Sequence, residues 1–196
     1  MSTEENSKLL IQAARNGDTA ELLRLIPISD PKSKNSEALI FAAICGHTQC
    51  VKLLIPVSDP KARNSEALCC AARHGYPECV KLLIPVSDPQ AQNNRALYGA
   101  AFHGDAQSVQ MLIPVSDPCA QESCALSAAV QNGNTSCIEL LYPVSDPHAA
   151  LNLLQQKCPG DFERWGELER RIAHEQNQKL NAEIGKIMPA EIKRKI

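Results

Sequence analysis

Apolar positions along the chain fall in short helical blocks, and the blocks recur. Between Ser36 and Cys45, Leu39, Ala42 and Ala43 have the i, i+3, i+4 spacing of one helix face. A second block runs from Thr48 to Ile55, with Val51, Leu54 and Ile55 on its apolar side. Pro56 ends it, because proline cannot donate to the helix ladder. No stretch alternates apolar and polar residues with the period of a strand, so the pattern predicts an all-α chain.

The pair of blocks repeats with a fixed period. Ser29, Ser58, Ser87, Ser116 and Ser145 each stand in a near-identical Ile-Pro-Val-Ser-Asp-Pro stretch, 29 residues apart every time. A period of this length is the signature of a solenoid or array. Five units result, starting at Asn6, Asn35, Asn64, Asn93 and Glu122. In each, Asn35 or its equivalent Asn64 is placed to cap the first helix, with Glu37 or Glu66 in the first turn, where the helix dipole favours an acid. Gly17, Gly46, Gly75, Gly104 and Gly133 follow that helix and suit a positive-φ stop. Asp18, His47, Tyr76, Asp105 and Asn134 precede the second helix, and Asp18, Asp105 and Asn134 are good caps for it. Pro77 falls at the first helical position, where proline is tolerated. Helices of two to three turns, roughly, are too short to stand alone in water, so stacking must bury their Leu, Val and Ile columns.

Ala-Leu-x-x-Ala-Ala-x-x-Gly-His-x-x-Cys-Val-x-Leu-Leu, at Ala38 to Leu54, resembles the heart of an ankyrin repeat, and the resemblance covers all five units. It implies a right-handed solenoid of helical pairs. Two departures stand out. Ser36-Glu37-Ala38-Leu39-Ile40 replaces the usual Thr-Pro-Leu-His start, and the period of 29 is shorter than the ankyrin period of about 33. The projecting β-hairpin fingers are therefore expected to be truncated or absent. Tetratricopeptide repeats, the other helical-pair family, have longer helices and aromatic positions that this chain lacks. The solenoid is expected over residues 1–148, with units near 6–34, 35–63, 64–92, 93–121 and 122–148. Gln12 and Arg24 in the first unit stand where Phe41 and Leu53 stand in the second, as a water-facing end unit requires. Residues 149–196 are expected to form C-terminal capping helices: one over Ala149 to Lys157, a break at Pro159-Gly160, then a long charged helix from Asp161 to about Met188. Phe162, Trp165 and Leu168 on that helix would cover the open end of the last repeat, and Ile172 continues their face.

Charge changes this picture little. The net charge is −2, with 11 basic and 15 acidic side chains in residues 1–147, and neither nucleic acid nor an anionic membrane is favoured as a partner. The first residues lack the basic and apolar regions of a signal peptide, and nine cysteines without one point to a reducing, cytoplasmic setting, in the cell of origin or in a host.

The cysteines are the candidate chemistry. Cys50, Cys79 and Cys137 share a column with Ser108, as small core residues would. Neighbouring repeats stack about 10 Å apart, too far for a disulfide or a shared metal between successive units. Cys45, His74 and His103, also one column, are excluded as metal ligands on the same ground, and no metal or cofactor is expected. Cys70 and His74, four apart on one helix, have the spacing of a nucleophile pair, but no orienting Asn or Asp and no oxyanion motif accompanies them. Cys119, after a loop proline, is the thiol expected to be exposed.

Columns that keep one residue type build a stack, and columns that vary present a surface. The most variable ones lie at the end of the first helix: Arg15, Ile44, Arg73, Phe102 and Gln131, then Asn16, Cys45, His74, His103 and Asn132. In ankyrin repeats the matching positions lie towards the concave face and contact partners, so the resemblance implies a protein partner there, bound by Ile44, Cys45, Arg73, His74, Tyr98, Phe102, His103, Gln131 and Asn132. The loops Lys32-Ser33-Lys34 and Lys61-Ala62-Arg63 add positive charge that suits a short acidic segment. The reading that follows is a non-enzymatic protein–protein interaction scaffold of unknown partner, monomeric rather than homo-oligomeric. It resembles ankyrin proteins of bacteria and large viruses that act as effectors or antitoxins. The alternative is a structural, self-assembling protein joined through its C-terminal helix.

Overall fold

The computed structural model describes residues 2–146 together with Gly166, Arg170, Ala173, His174 and Gln178. The chain divides into two compact units, Met1–Leu153 and Leu154–Ile196. In the second, the described residues are helical. The helices expected over 149–188, with Phe162, Trp165, Leu168 and Ile172, lie outside the described residues.

The first unit is a stack of five helical pairs: α1 (Thr3–Asn16) with α2 (Thr19–Leu25), α3 (Ser33–Ile44) with α4 (Thr48–Leu54), α5 (Ala62–Arg73) with α6 (Pro77–Leu83), α7 (Ala91–His103) with α8 (Ala106–Leu112), and α9 (Ala120–Gln131) with α10 (Thr135–Leu141). Among the described residues there is no strand, and the Ser-Asp-Pro connections take the place of fingers. The odd-numbered helices pack in one layer and the even-numbered helices in another. Between the layers the column Leu10, Leu39, Leu68, Leu97 and Leu126 is wholly buried, as is Leu25, Leu54, Leu83, Leu112 and Leu141. Each such leucine contributes about 1.5–3 kcal/mol on leaving water. Paired alanines such as Ala42 and Ala43, or Ala71 and Ala72, are also fully buried and let neighbouring helices approach. Cys50, Cys79, Ser108 and Cys137 are buried with no exposure at all, the small core residues their column suggests. Gln12 and Arg24 of the first unit are exposed.

The glycine column behaves as expected, with φ between 67° and 90° at all five positions. Gly75 illustrates why: besides its positive φ, a Cβ there would lie 2.2 Å from His103 Nε2 of the next unit.

The start of each first helix does not behave as expected. Asn35 and Asn64 cap nothing. Lys34, Asn35 and Ser36 have φ of 50°, 59° and 60°, a left-handed turn that recurs at Arg63-Asn64-Ser65 and at Gln92-Asn93-Asn94. Such a conformation costs roughly 1–2 kcal/mol per residue for side chains other than glycine, least for asparagine. Tertiary hydrogen bonds hold it. Ser36 Oγ, 1% exposed, accepts from the Asp59 amide at 2.8 Å. Ser65 Oγ accepts from Asp88 at 2.8 Å, Asn94 Oδ1 from Asp117 at 2.8 Å and Ser123 Oγ from Asp146 at 3.1 Å; in the first unit, where Ser7 lies within the regular helix α1, its Oγ accepts the same bond from Asp30 at 3.0 Å. Each bond joins the two ends of one unit across 23 residues.

Ser-Asp-Pro supplies the donors. Asp59 Oδ1 accepts from the Lys61 amide at 3.0 Å, turning the chain so that its own amide faces inward, and Asp30, Asp88 and Asp117 do likewise. Ser58 Oγ donates to the Pro31 carbonyl at 3.5 Å and Ser87 Oγ to the Pro60 carbonyl at 3.4 Å, linking these two connections to the ones before them. The long loop side chains bridge units as well. Arg63 Nη2 donates to the Lys34 carbonyl at 3.3 Å, and Gln92 Nε2 donates to the Arg63 and Asn64 carbonyls at 3.3 and 3.1 Å.

The second-helix caps divide into two kinds. Asp18 and Asp105 accept from the amides of Glu21 and Ser108. Asn134 makes no cap bond; its Nδ2 donates instead to the Ala101 and Phe102 carbonyls of the preceding unit, at 2.9 and 3.1 Å. His47 Nε2 likewise meets the Arg15 carbonyl at 3.0 Å. These positions staple units together rather than start helices.

Removing the Ser65 hydroxyl leaves the Asp88 amide without its acceptor, so Ser65→Ala should cost about 1–3 kcal/mol. Exposed Ser136→Ala should stay within about 0.5 kcal/mol. Asn64→Val, which puts a β-branched residue into the left-handed turn, should cost about 1–2 kcal/mol. Urea denaturation midpoints of the three variants check this order.

Candidate functional site

The variable columns converge on one cleft between α5 and α7, with a volume of about 170 Å³. Glu66, Cys69, Cys70, Arg73 and His74 line it from α5 and its end, and Arg95, Tyr98, Gly99 and Phe102 line it from α7. These are successive turns of two neighbouring helices, brought side by side because α7 repeats the course of α5 one unit later.

A glycine floors the cleft. Gly99 has no side chain where Phe41 stands two units earlier and Ala128 one unit later. The helices are close: a Cβ at Gly99 would lie 3.1 Å from the Cα, Cβ and N atoms of Arg73. The same pair of columns is filled between α1 and α3, where the Arg15 guanidinium lies over the Phe41 ring, 5.3 Å from its centroid. Between α5 and α7, Arg73 repeats Arg15, but no ring stands beneath it.

The walls differ in character. Tyr98 and Phe102, 40% and 44% exposed, stack on each other with centroids 6.1 Å apart and planes 26° from parallel. Exposed aromatic rings beside an arginine are the composition of interface anchors. Arg95 pairs with Glu66 at 3.5 Å and also donates to Gln92 Oε1 at 2.6 Å. Arg73 is exposed and makes no hydrogen bond or ion pair among the described residues.

Cys70 and His74 do not form a nucleophile pair. His74 Nδ1 donates to the Cys70 carbonyl at 2.8 Å, and its ring stacks with Tyr76. The Cys70 thiol donates to Glu66 Oε1 at 3.5 Å. Burial first, then the Glu66 charge and hydrogen bond, push the thiol up to about 12. Burial likewise pushes Cys69 up to about 11. Both stay protonated at neutral pH, and a thiol is a poor nucleophile beside its thiolate. Among the described residues no three His, Cys, Asp or Glu side chains gather as a metal site would require.

Of the nine residues expected to bind a partner, Arg73, His74, Tyr98 and Phe102 share the cleft. Ile44 and Cys45 are half-buried at the end of α3. His103 is exposed and lies against the Gly75 turn. Gln131 and Asn132 are exposed but bonded back onto α9, through Gln131 Nε2 to Ser127 Oγ at 3.0 Å and Asn132 Nδ2 to the Ala128 carbonyl at 2.9 Å. The sequence reading missed Glu66, Cys69, Arg95 and Gly99. Two signals were present: Gly99 is the lone glycine of its column, and Arg95 follows Glu66 by one period with opposite charge.

A family model described as ankyrin repeats (3 copies) matches residues 10–96. No curated protein matches the chain. No helix among the described residues is long and apolar enough to cross a membrane.

The eight described cysteines are all free thiols, and Cys119 is the one classed as exposed. Iodoacetamide at about pH 8 should therefore alkylate Cys119 well before Cys69, Cys70 and Cys79, with peptide mass spectrometry as the readout. Early labelling of Cys70 would contradict a protonated, sheltered thiol.

Proposed function

The chain is an ankyrin repeat protein, and from that premise we propose that it is a non-enzymatic scaffold that holds a protein partner on the first-helix face around Arg73. Ankyrin repeats generally mediate protein–protein interaction, and the observation that carries the reading for this face is the cleft itself. An unpaired arginine and two exposed, stacked rings meet on one patch of a stack whose remaining large apolar side chains are mostly buried or half-buried. Ile44, Cys45, His74 and His103 extend the contact along the neighbouring turns, with Gln131 and Asn132 at its far end. The partner meets a monomer in the cytosol, where free thiols persist. The protonated Cys70 favours this reading over catalysis.

The double variant Arg73→Ala, Phe102→Ala should weaken capture of the native partner by tenfold or more, at about 1.4 kcal/mol per decade. Because both side chains are exposed, the melting temperature should shift by only about 2 °C or less. Affinity purification from the source cytosol with the wild-type and variant chains, alongside calorimetric melting, checks both. Undiminished capture with a large loss of stability would make these residues structural.

A further inference from the structure

We propose that the α5–α7 cleft is a socket for one aromatic side chain of the partner, which would lie beneath the Arg73 guanidinium as the Phe41 ring lies beneath Arg15. This rests on the scaffold reading and narrows it to a chemistry. The repeat supplies the argument, because it lets one inter-unit junction be compared with another. Arg15 and Phe41 occupy the same two columns as Arg73 and Gly99. At the first junction the chain provides both the cation and the ring. At the third it provides the cation without a ring, beside an open cleft. The other junctions do not offer this arrangement: Ile44 faces Cys70's column at the second, and Phe102 faces Ala128's column at the fourth, so neither has a cation to cover a ring.

The electrostatics favour the same occupant. A guanidinium without a partner attracts the negative face of a π-system, and the attraction grows when the pair leaves water. Glu66 is the one carboxylate on the cleft wall, and Arg95 engages it, so Arg73 remains available. Tyr98 and Phe102 offer an incoming ring an aromatic edge to pack against. Gly99 forms the floor, where α5 and α7 come into contact, so the ring enters from the open side of the cleft. The partner segment is therefore one that projects a phenylalanine or tyrosine side chain into the stack.

Selection of a random linear peptide library displayed on phage, against the full chain, tests this. Enriched peptides should share an aromatic residue whose replacement by alanine weakens binding about tenfold or more. Arg73→Ala should weaken them about fivefold. Gly99→Phe, which supplies the ring from the chain itself, should abolish binding while circular dichroism stays helical. If that variant fails to fold, Arg73→Ala carries the test. Enriched peptides without a shared aromatic, affinity unmoved by Arg73→Ala, or a selection that enriches nothing would overturn the socket. Those results would leave the scaffold reading to stand or fall on capture of the native partner.

Discussion

Every unit of this stack is closed by a buried hydrogen bond from the amide of its Ser-Asp-Pro aspartate to a polar side chain 23 residues earlier. Ser36 with Asp59, Ser65 with Asp88 and Asn94 with Asp117, all at 2.8 Å, are the tightest examples. In the second, third and fourth units the acceptor sits at the end of a three-residue left-handed turn, a conformation that side chains other than glycine disfavour. The turn persists because its last residue is held from the far end of the unit, by a bond whose acceptor is buried. Once that end is fixed, the first helix starts at a defined point, and the leucine and alanine columns come into register with the next unit. A short repeat without hairpin fingers thus gains its rigidity from a polar clasp between its two ends.

The clasp also accounts for which residues are free to vary. The serine, aspartate and glycine columns each serve a backbone requirement and keep nearly one identity throughout. Positions at the end of the first helix have no such duty. They hold Arg15, Ile44, Arg73, Phe102 and Gln131 in turn. At one junction this freedom puts a glycine in close contact with an arginine's backbone, and an open cleft lies beside the pair without any special motif. The reactive-looking pair nearby is consumed by structure: the His74 ring bonds a backbone carbonyl, and burial, with Glu66 beside it, keeps Cys70 protonated.

Much of this was legible in the sequence because the repeat prints the same physics five times. The helix pairs, the glycine stops, the buried cysteine column and the exposed Cys119 follow from period and residue type alone. The left-handed turn did not, because the sequence marks it with asparagine rather than glycine, and Asn35 reads equally well as a helix cap. The aspartate amide's acceptor was equally hidden, since a bond across 23 residues leaves no local signal. Asn134 was misread for a related reason: a side chain suited to capping its own helix is also suited to bridging to the carbonyls of Ala101 and Phe102. In the site, the variable column pointed to Arg73 and Phe102, but not to Gly99, whose contribution is the close approach of α5 and α7 that a side chain would crowd.

Native-state hydrogen exchange at the Asp59, Asp88 and Asp117 amides tests the clasp most directly. These three amides lie in connections between helices, where exchange is ordinarily fast. If each is held by its buried acceptor, they should exchange as slowly as the core amides of Leu68 and Leu97, through opening of the whole stack. Exchange at the rate of an open loop, with the helices still protected, would show that the units are closed by apolar packing alone.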